Sequence, residues 1–414
     1  MGTAVLAGLG VASLANGHRP FQRHGAVSSM ASWVSGVLAS EVPLVCASAS
    51  VATATMARRR RANAPATARA VAAVSAATAV GFLDLYRRSL SSGEVLEAAL
   101  CECLGRDAAQ LRASSAEVSP PAGSLFGFRR RYTTDDSTGI VYGDGGLRNT
   151  LDVWRRPDAP TSGAPVLIQI HGGAWATGDN RTQALPLVSQ MVEAGWVCVL
   201  PRYRLSPRAT WPDHIVDIMR VISWTKQNIA SFGGDPEFVA LTGGSAGGHL
   251  SSLAALAHDH IEFKPGFEDH DTRVQAVATM YGSYDWLDRD STANPHTQRF
   301  VCEKVIKLPV DQATAILAAG SPRSHVRADA PPFFVVHGRN DSLLPVEQAR
   351  SFVSALRAVS SAPVGFAELP IGQHAFDGLR TPRARAAAAA VRCFLEVVHA
   401  DHHTAAVAGG LRRS

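Results

Sequence analysis

From Arg129 onward the chain alternates short apolar runs with helical segments, a pattern that few folds satisfy. Six such runs, each bounded by glycine, proline or charged residues, occur at residues 166–170, 196–200, 238–242, 277–281, 333–336 and 364–369. Runs of this length are typical of strands. Their alternation with helices predicts an α/β fold with a mostly parallel central sheet and helices on both faces.

Two connections in this region have signals of their own. Between the second and third runs, apolar residues follow an i, i+3, i+4, i+7 spacing from Ile215 to Ile222, with Gly233 shortly after. This spacing predicts an amphipathic crossover helix with a glycine stop. Before the first run, residues 130–142 and 150–154 flank the G-D-G-G of residues 143–146. This arrangement predicts a hairpin of two antiparallel edge strands.

The first 78 residues, rich in alanine, serine and valine, differ from the rest of the chain. Residues 4–15 lack a preceding positive charge, so a cleavable signal peptide is poorly supported. Residues 31–57 are moderately apolar, contain Glu41 and Pro43, and are followed by an arginine. They are typical either of a marginal span or interfacial helix at a membrane surface, or of a helical extension packed on the catalytic domain. The compartment is accordingly cytoplasmic or associated with the membrane or cell envelope.

The composition changes suggest four parts. We expect an N-terminal extension over residues 1–78, membrane-associated or poorly ordered, and a helical cap-like segment with a linker over residues 79–128. The linker is the S-P-P-A-G of residues 119–123. An α/β catalytic domain over residues 129–400 and a C-terminal tail over residues 401–414 complete the division.

Charge and cysteine content exclude several classes of protein. The net charge of +5 is concentrated in arginines at residues 58–61 and 129–131 rather than along a helix face, which argues against a nucleic-acid partner. The six cysteines are scattered without a C-x-x-C pair, which argues against a disulfide framework. We expect neither a metal nor an organic cofactor.

The strongest chemical signal is the G-G-S-A-G of residues 243–247, which follows one predicted strand and opens a helix. This is a G-x-S-x-G sequence in the strand-turn-helix context that nucleophilic serines of α/β-hydrolases require. Glycine on both sides lets the backbone turn sharply, so that the serine projects from a strained position. Ser245 is therefore the predicted nucleophile.

A serine hydroxyl needs an adjacent base that is oriented by a third group. In this fold the chain order is serine, then acid, then histidine. Asp341 and His374 follow the last two predicted strands in that order and are the predicted acid and base. Asp285 and Asp377 are less favoured alternatives for the acid, and His337 is interpreted as a structural histidine.

The H-G-G-A-W of residues 171–175 directly follows the first of the six runs. A tetrahedral intermediate needs backbone N–H donors fixed in advance, and the loop after this strand supplies them in α/β-hydrolases. The predicted oxyanion donors are the N–H groups of Gly172, Gly173 and Ala246. His171 is expected to orient the loop, and Trp175 to form a wall of the substrate pocket.

With these motifs the chain resembles the hormone-sensitive-lipase-related branch of the α/β-hydrolases, and within it the bacterial Lip-type carboxylesterases. The resemblance runs from about Tyr142 to the C-terminus. It depends on the ordered motifs L-D-V-W-R-R, H-G-G-A-W, Y-R-L-S-P, W-P-D-H-I-V-D, F-G-G-D-P, G-G-S-A-G-G-H-L and H-G-x-x-D.

The resemblance implies a serine carboxylesterase that hydrolyses short- to medium-chain acyl esters through an acyl-enzyme. It also implies a cap built partly from N-terminal helices, for which residues 79–112 and 288–328 are the candidates. Gly244 and Ala174 depart from the G-D-S-A-G-G and H-G-G-G of lipase-like members. Both occur in relatives resembling arylformamidases and methylesterases of prenylated cysteine. An arylformamidase-like amidase and an interfacial lipase therefore remain alternatives, whereas a non-catalytic scaffold does not fit a complete triad.

Overall fold

A computed structural model of the chain describes residues 2–21, 26–59, 65–115, 118, 125–158, 162–180 and 182–410. The predicted linker at residues 119–123 lies outside these residues. The described residues form one eight-stranded sheet, which confirms the predicted fold class. The strands are β1 (Ile140–Val141), β2 (Thr150–Trp154), β3 (Ala164–Ile170), β4 (Val197–Pro201), β5 (Gly234–Gly244), β6 (Ala276–Met280), β7 (Phe333–Gly338) and β8 (Val364–Leu369).

The sheet order is β1-β2-β4-β3-β5-β6-β7-β8, and the strands from β4 to β8 are parallel. β2 pairs with β4 antiparallel and β1 pairs with β2 antiparallel, so the antiparallel strands form one edge. The six predicted runs all coincide with parallel strands. Because these strands are parallel, the loops after β3, β5, β7 and β8 leave the sheet at the same edge.

Fourteen α-helices are present among the described residues. They are α1 (Gly2–His18), α2 (Ala26–Glu41), α3 (Pro43–Arg59), α4 (Pro65–Leu90), α5 (Ser92–Leu104), α6 (Ala108–Ser114), α7 (Leu125–Tyr132), α8 (Leu185–Glu193), α9 (Asp213–Asn228), α10 (Ala246–Leu256), α11 (Pro295–Phe300), α12 (Thr314–Ala319), α13 (Val346–Val359) and α14 (Pro382–Gly410). The predicted crossover helix is α9, and Gly233 adopts the left-handed conformation that ends its short 3-10 extension.

Both faces of the sheet are buried under helices. Alternate residues of β3 belong to different apolar layers: Val166 and Ile168 belong to the layer that includes residues of α9, α10 and α13, whereas Leu167 belongs to the layer that includes residues of α5, α8 and α14. This alternation is the one expected for a strand covered on both faces. The two layers hold the sheet rigidly and therefore fix the positions of the loops at its carboxyl edge.

The predicted edge hairpin is only partly correct. Its second strand is β2, but of residues 130–142 only Ile140 and Val141 form a strand. The earlier part is helical up to Tyr132, whose ring is buried and whose hydroxyl donates to Glu193 Oε1 at 2.6 Å. Thr134 then caps a 3-10 turn, which interrupts the extended conformation.

Two predicted boundaries also differ from the structure. The boundary at residue 78 falls inside α4, which continues from Pro65 to Leu90 without interruption. The boundary at residue 400 falls inside α14, which runs to Gly410 because its sequence after Pro382 is rich in alanine and free of glycine and proline until Gly409. The described part of the N-terminal extension is helical, and α2 and α3 meet at an angle of 92°.

Candidate active site

Ser245 lies at the turn between β5 and α10 with a positive φ of 56°, a conformation that costs energy for a residue with a side chain. The turn leaves no room for side chains on its flanks. A Cβ on Gly243 would lie 2.5 Å from the Gly247 carbonyl carbon, and a Cβ on Gly247 would overlap the carbonyl oxygen of Ile170. The Ser245 N–H donates to the Met280 carbonyl at 3.0 Å, which fixes the turn against β6.

The structure brings the three predicted triad residues together. His374 Nε2 lies 2.9 Å from Ser245 Oγ, and His374 Nδ1 lies 2.7 Å from Asp341 Oδ2. Asp341 follows β7 and His374 follows β8, so neighbouring parallel strands place them over the edge of the sheet where β5 ends. The geometry is that of a nucleophile in contact with a base, and a base in contact with an orienting acid.

Asp341 is fully buried and is held on every side. Its Oδ1 accepts hydrogen bonds from the N–H groups of Leu343 and Leu344, and His337 Nε2 lies 3.2 Å from its Oδ2. Burial alone would raise the pKa of this carboxyl. The charge of His374 and the hydrogen bonds from His337 and His374 outweigh burial and lower the Asp341 pKa below its usual value. Asp341 is therefore an ionised acceptor that orients the His374 ring.

Neither alternative acid contacts His374 Nδ1. Asp285 forms an ion pair with Arg289 at 2.5 Å. Asp377 accepts a hydrogen bond from the Tyr281 hydroxyl. The choice of Asp341 from chain order thus agrees with the observed hydrogen bonds.

The loop after β3 contradicts one predicted oxyanion donor. The Gly172 N–H donates to Gln183 Oε1 at 2.7 Å, so it is engaged within the protein. By contrast, no described residue accepts a hydrogen bond from the N–H groups of Gly173 or Ala246. The sequence carries no signal for this correction, because Gln183 lies in an irregular segment eleven residues after Gly172.

His171 holds the loop after β3 in place, as expected. It is fully buried, and burial lowers its pKa to about 4, so the ring is neutral near pH 7. Its Nδ1 donates to the Gly172 carbonyl at 2.9 Å, and its ring stacks on Tyr203 with 4.3 Å between centroids. The Tyr203 hydroxyl in turn donates to the His171 carbonyl at 3.0 Å. These contacts fix the loop without giving His171 access to Ser245.

The prediction that Trp175 forms a wall of the substrate pocket is wrong. Its side chain is buried beneath the loop, where its Nε1–H donates to His249 Nδ1 at 3.2 Å. Its ring packs edge-on against Trp286 with 5.1 Å between centroids. The positive φ of Trp175, 57°, turns the chain so that the ring points into this aromatic cluster rather than into the cavity.

The structure also explains the glycine that precedes the nucleophile. A Cβ on Gly244 would overlap the hydroxyl of Tyr281 and lie 2.6 Å from its Cζ. The Tyr281 ring occupies that space, packs edge-on against His374 with 4.9 Å between centroids, and donates its hydroxyl to Asp377. The aspartate of G-D-S-A-G-G sequences would not fit here, and sequence reasoning missed Tyr281 as its steric counterpart.

A cavity of about 500 Å³ opens above Ser245 and is mostly apolar. Its walls include Met30, Trp33, Leu185, Leu343 and Leu379. The expected cap segments do not line this cavity. Residues 79–112 include α5, which packs on β8 and α14 at the far face of the sheet, and residues 288–328 border α2 from outside. The cap is α2, because its side chains project over the sheet edge.

The N-terminal helices also hold the loops that carry the acid and the base. Trp33 Nε1–H of α2 donates to the His374 carbonyl at 2.9 Å, and Asn340 Nδ2 donates to the Gly17 carbonyl at the end of α1 at 2.8 Å. The two loops are joined to each other by Gln373, whose Oε1 accepts hydrogen bonds from the N–H groups of Ser342 and His374. The extension is therefore part of the site. Among residues 2–410, where described, no group of three or more potential metal ligands is assembled.

The chain is similar to known esterases. Residues 151–356 match the BD-FAE family. The chain is 44% identical to the probable carboxylic ester hydrolase LipM of Mycobacterium tuberculosis, over 99% of this chain and 96% of that protein. It is 46% identical to esterase LipQ of the same organism, over 74% of this chain and 75% of that protein.

Among solved structures, a truncated carbohydrate esterase from gut microbiota superposes with a TM-score of 0.51 and 23% identity. The match covers 59% of this chain and 92% of that one. At this identity the match supports the fold alone.

Proposed function

The chain belongs to the Lip-type carboxylesterase family and is a serine carboxylic ester hydrolase, and we propose that Ser245, His374 and Asp341 carry out its chemistry. The observation that carries this proposal is the continuous hydrogen-bonded series from Ser245 Oγ through both nitrogens of His374 to Asp341 Oδ2. Its chain order, turn geometry and buried acid are all those that an activated serine needs.

In the acylation step, Ser245 Oγ attacks the ester carbonyl carbon while His374 Nε2 takes the hydroxyl proton. The carbonyl oxygen becomes negative in the tetrahedral intermediate. When the C–O bond to the alcohol breaks, His374 returns that proton to the leaving oxygen. Water then repeats the sequence on the acyl-enzyme and releases the acid. Asp341 remains ionised throughout and stabilises the imidazolium form of His374.

The negative oxygen would be bound by the N–H groups of Gly173 and Ala246. Ala246 directly follows Ser245, Gly173 lines the same cavity, and neither N–H has an acceptor among the described residues, whereas the Gly172 N–H is already bound by Gln183. We therefore assign Gly172 a structural role. Removing one oxyanion donor typically costs about 3–4 kcal/mol of transition-state stabilisation, so two preorganised donors account for a large part of catalysis.

The cavity supports esters of short to medium acyl chains as substrates. Its volume of about 500 Å³ is that of a small-molecule site, and its walls are mainly aliphatic and aromatic. An apolar acyl chain buried there would lose contact with water, which contributes roughly 0.8 kcal/mol for each methylene group.

Replacement of Ser245 by alanine tests the assignment. We expect hydrolysis of p-nitrophenyl butyrate to fall by at least about 10⁴-fold while the thermal unfolding curve stays close to that of the unchanged protein. Labelling with a fluorophosphonate followed by peptide mapping should place the label on Ser245 alone. A matched control is Ser252→Ala, which removes a hydroxyl from the same helix that bonds only to the Gly248 carbonyl. Labelling at another serine, or full activity of Ser245→Ala, would refute the assignment.

A further inference from the structure

The bundle formed by α1, α3 and α4 has an interior made of small side chains. α3 and α4 pack closely along their length, and α1 lies against both. Outside the buried cluster of Ala47, Phe82, Leu85 and Ile371, the buried positions of α3 and α4 up to Ala79 are mainly alanine, serine and threonine: Ser50, Thr53, Ala54, Ala57, Ala68, Ala72, Ser75, Thr78 and Ala79. Helices of a water-soluble protein would instead bury their large apolar side chains between one another.

Apart from Phe82 and Leu85, which are buried next to Ile371 of the catalytic domain, many large apolar side chains of this bundle face outward. They are 41–66% exposed and lie on all three helices: Val5, Leu6, Leu9, Val11, Leu44, Val45, Val51, Met56, Val74, Val80 and Leu83. Soluble proteins scatter exposed apolar residues singly, and a contiguous set of this size marks an interaction surface. Small residues between helices and large apolar residues outside are the arrangement of helices packed in lipid.

Several hydroxyl groups of α3 and α4 are satisfied within their own helices, although the buried Ser75 Oγ has no partner among the described residues. Ser50 donates to the Cys46 carbonyl, Thr53 to the Ala49 carbonyl and Thr78 to the Val74 carbonyl, each at 2.9 Å. On the outer side, Thr55 donates to the Val51 carbonyl at 3.0 Å. Because these hydroxyl groups are bonded to backbone carbonyls, few of them need a hydrogen-bond partner outside the bundle. Lipid hydrocarbon offers no such partner.

Charged residues are confined to the two ends of the bundle. α3 has none from Pro43 to Ala57 and ends in Arg58 and Arg59. α4 has none between Arg69 and Asp84, an interval of 14 residues that spans about 21 Å at 1.5 Å per residue. That length is a large fraction of the roughly 30 Å hydrocarbon thickness of a bilayer. Arginine at the end of such a zone reaches phosphate head groups.

Length and composition agree with this distribution. Within the described residues, the helical stretch Pro65–Leu104 is long and apolar enough to cross a membrane, with a mean hydropathy of 1.5, and only 33% of its apolar window is buried. The bent pair of α2 and α3 meets the same criterion together. Core helices of soluble proteins also meet it, but they bury their large side chains, whereas these helices expose them.

We propose that the outward face of α1, α3 and α4 inserts into a lipid bilayer. α2 connects this face to the active site: Met30 and Trp33 line the cavity above Ser245, and Met30 also lines an apolar surface groove with the exposed Val27, Val34 and Leu38. The mouth of the cavity thereby lies next to the lipid, and esters dissolved in the bilayer reach Ser245 along α2. The insertion is independent of the catalytic roles proposed for the triad.

The test is flotation of the full chain with phosphatidylcholine vesicles. We expect the unchanged protein to float with the vesicles and the triple variant Leu9→Glu, Val51→Glu, Val80→Glu to show at least a tenfold lower bound fraction. The three positions are 62%, 54% and 66% exposed. None contacts the active site, so hydrolysis of soluble p-nitrophenyl acetate by the variant should stay within twofold of the original rate. That assay also reports whether the variant has folded.

The matched control carries the same substitutions at exposed apolar positions of the catalytic domain: Leu147→Glu, Ile261→Glu and Val359→Glu, which are 74%, 63% and 47% exposed. It should float like the unchanged protein. The single variant Val80→Glu should show part of the loss, which keeps the test informative if the triple variant does not fold. Failure of the unchanged protein to bind vesicles would overturn the proposal. An equal loss of vesicle binding by the control variant would also overturn it. The same holds if the unchanged protein forms a dimer in the absence of detergent and the triple variant is monomeric.

Discussion

At the scale of single residues, Gln183 and Tyr281 determine how the nucleophile turn fits its surroundings. Gln183 accepts the hydrogen bond of the Gly172 N–H, whereas the next amide of the loop has no acceptor among the described residues. Tyr281 occupies the space that Gly244 leaves open and lies against His374. Gln183 and Tyr281 lie outside the active-site motifs, so the motifs do not specify their identity. Each nevertheless contacts a motif residue, Gly172 or Gly244.

Replacement of Gln183 by leucine tests the position of the oxyanion loop. The loss of one hydrogen bond costs about 0.5–1.5 kcal/mol. We therefore expect kcat for p-nitrophenyl butyrate to fall about threefold to tenfold with a smaller change in KM. Gln312→Leu, the same substitution at an exposed position that does not line the cavity, is the control and should leave both constants unchanged. A rise in kcat would show instead that the released Gly172 N–H serves as a donor.

Asp377 should produce a pH-dependent stability difference. Burial raises its pKa, although the hydrogen bond from Tyr281 and the charge of His374 oppose the rise. A carboxyl with a folded-state pKa above the unfolded-state value of about 3.9 destabilises the fold once it ionises. This cost is absent below the unfolded-state pKa, grows as the pH rises through the folded-state pKa, and is complete above it.

Asp377→Asn keeps an oxygen for the Tyr281 hydroxyl and removes the charge. The free energy of unfolding in urea should be higher for the variant than for the original protein at pH 7.5, and the difference should shrink toward pH 4. Asp329→Asn, which removes an exposed carboxylate, should show no such gain. The expected direction would be contradicted if the free energy of unfolding of the variant, minus that of the original protein, were lower at pH 7.5 than at pH 4.

At the scale of elements, α2 joins the N-terminal extension to the active site. It lines the cavity, donates a hydrogen bond to the His374 carbonyl through Trp33, and ends at Glu41, which is paired with Arg383 at the start of α14. Both members of that pair are fully buried, and Arg383 also donates to the Pro370 carbonyl before the base-bearing loop. The pair thus joins α2, α14 and the loop that carries His374.

Arg383→Met should lower the free energy of unfolding by about 3–5 kcal/mol, because it leaves the Glu41 carboxylate buried without a cation. The double variant Glu41→Gln, Arg383→Met removes both charges and should recover at least half of that loss. Equilibrium denaturation of the three proteins measures both effects. A single variant as stable as the original would show that the pair does not secure α2.

At the scale of the whole molecule, the active site is assembled from both ends of the chain. Trp33 and His374 are hydrogen-bonded although 341 residues separate them, and Asn340 reaches the end of α1 over 323 residues. The same helices that close the site belong to the layer proposed to enter lipid. Deleting the extension would therefore impair hydrolysis of soluble esters as well as binding to vesicles.

The parts predicted correctly from sequence are those that depend on neighbouring residues. The six parallel strands and the crossover helix follow from apolar spacing, and the turn at Ser245 follows from glycines on its flanks. Asp341 and His374 follow from chain order because parallel strands present their following loops at one edge. The edge strand at residues 130–142 was predicted incorrectly because its first residues end a helix that buries the Tyr132 ring against Trp154 of the sheet.

By itself, the sequence determined the sheet, the nucleophile turn and the order of the triad, because each depends on conformational preferences within a few residues. Only the tertiary structure decided that α2 forms the cap, that Gln183 takes the Gly172 amide, and that Trp175 lies in the core. Those outcomes depend on which surfaces meet after the chain has folded. Contacts between distant segments are set by shape and hydrogen-bonding partners that no local pattern encodes.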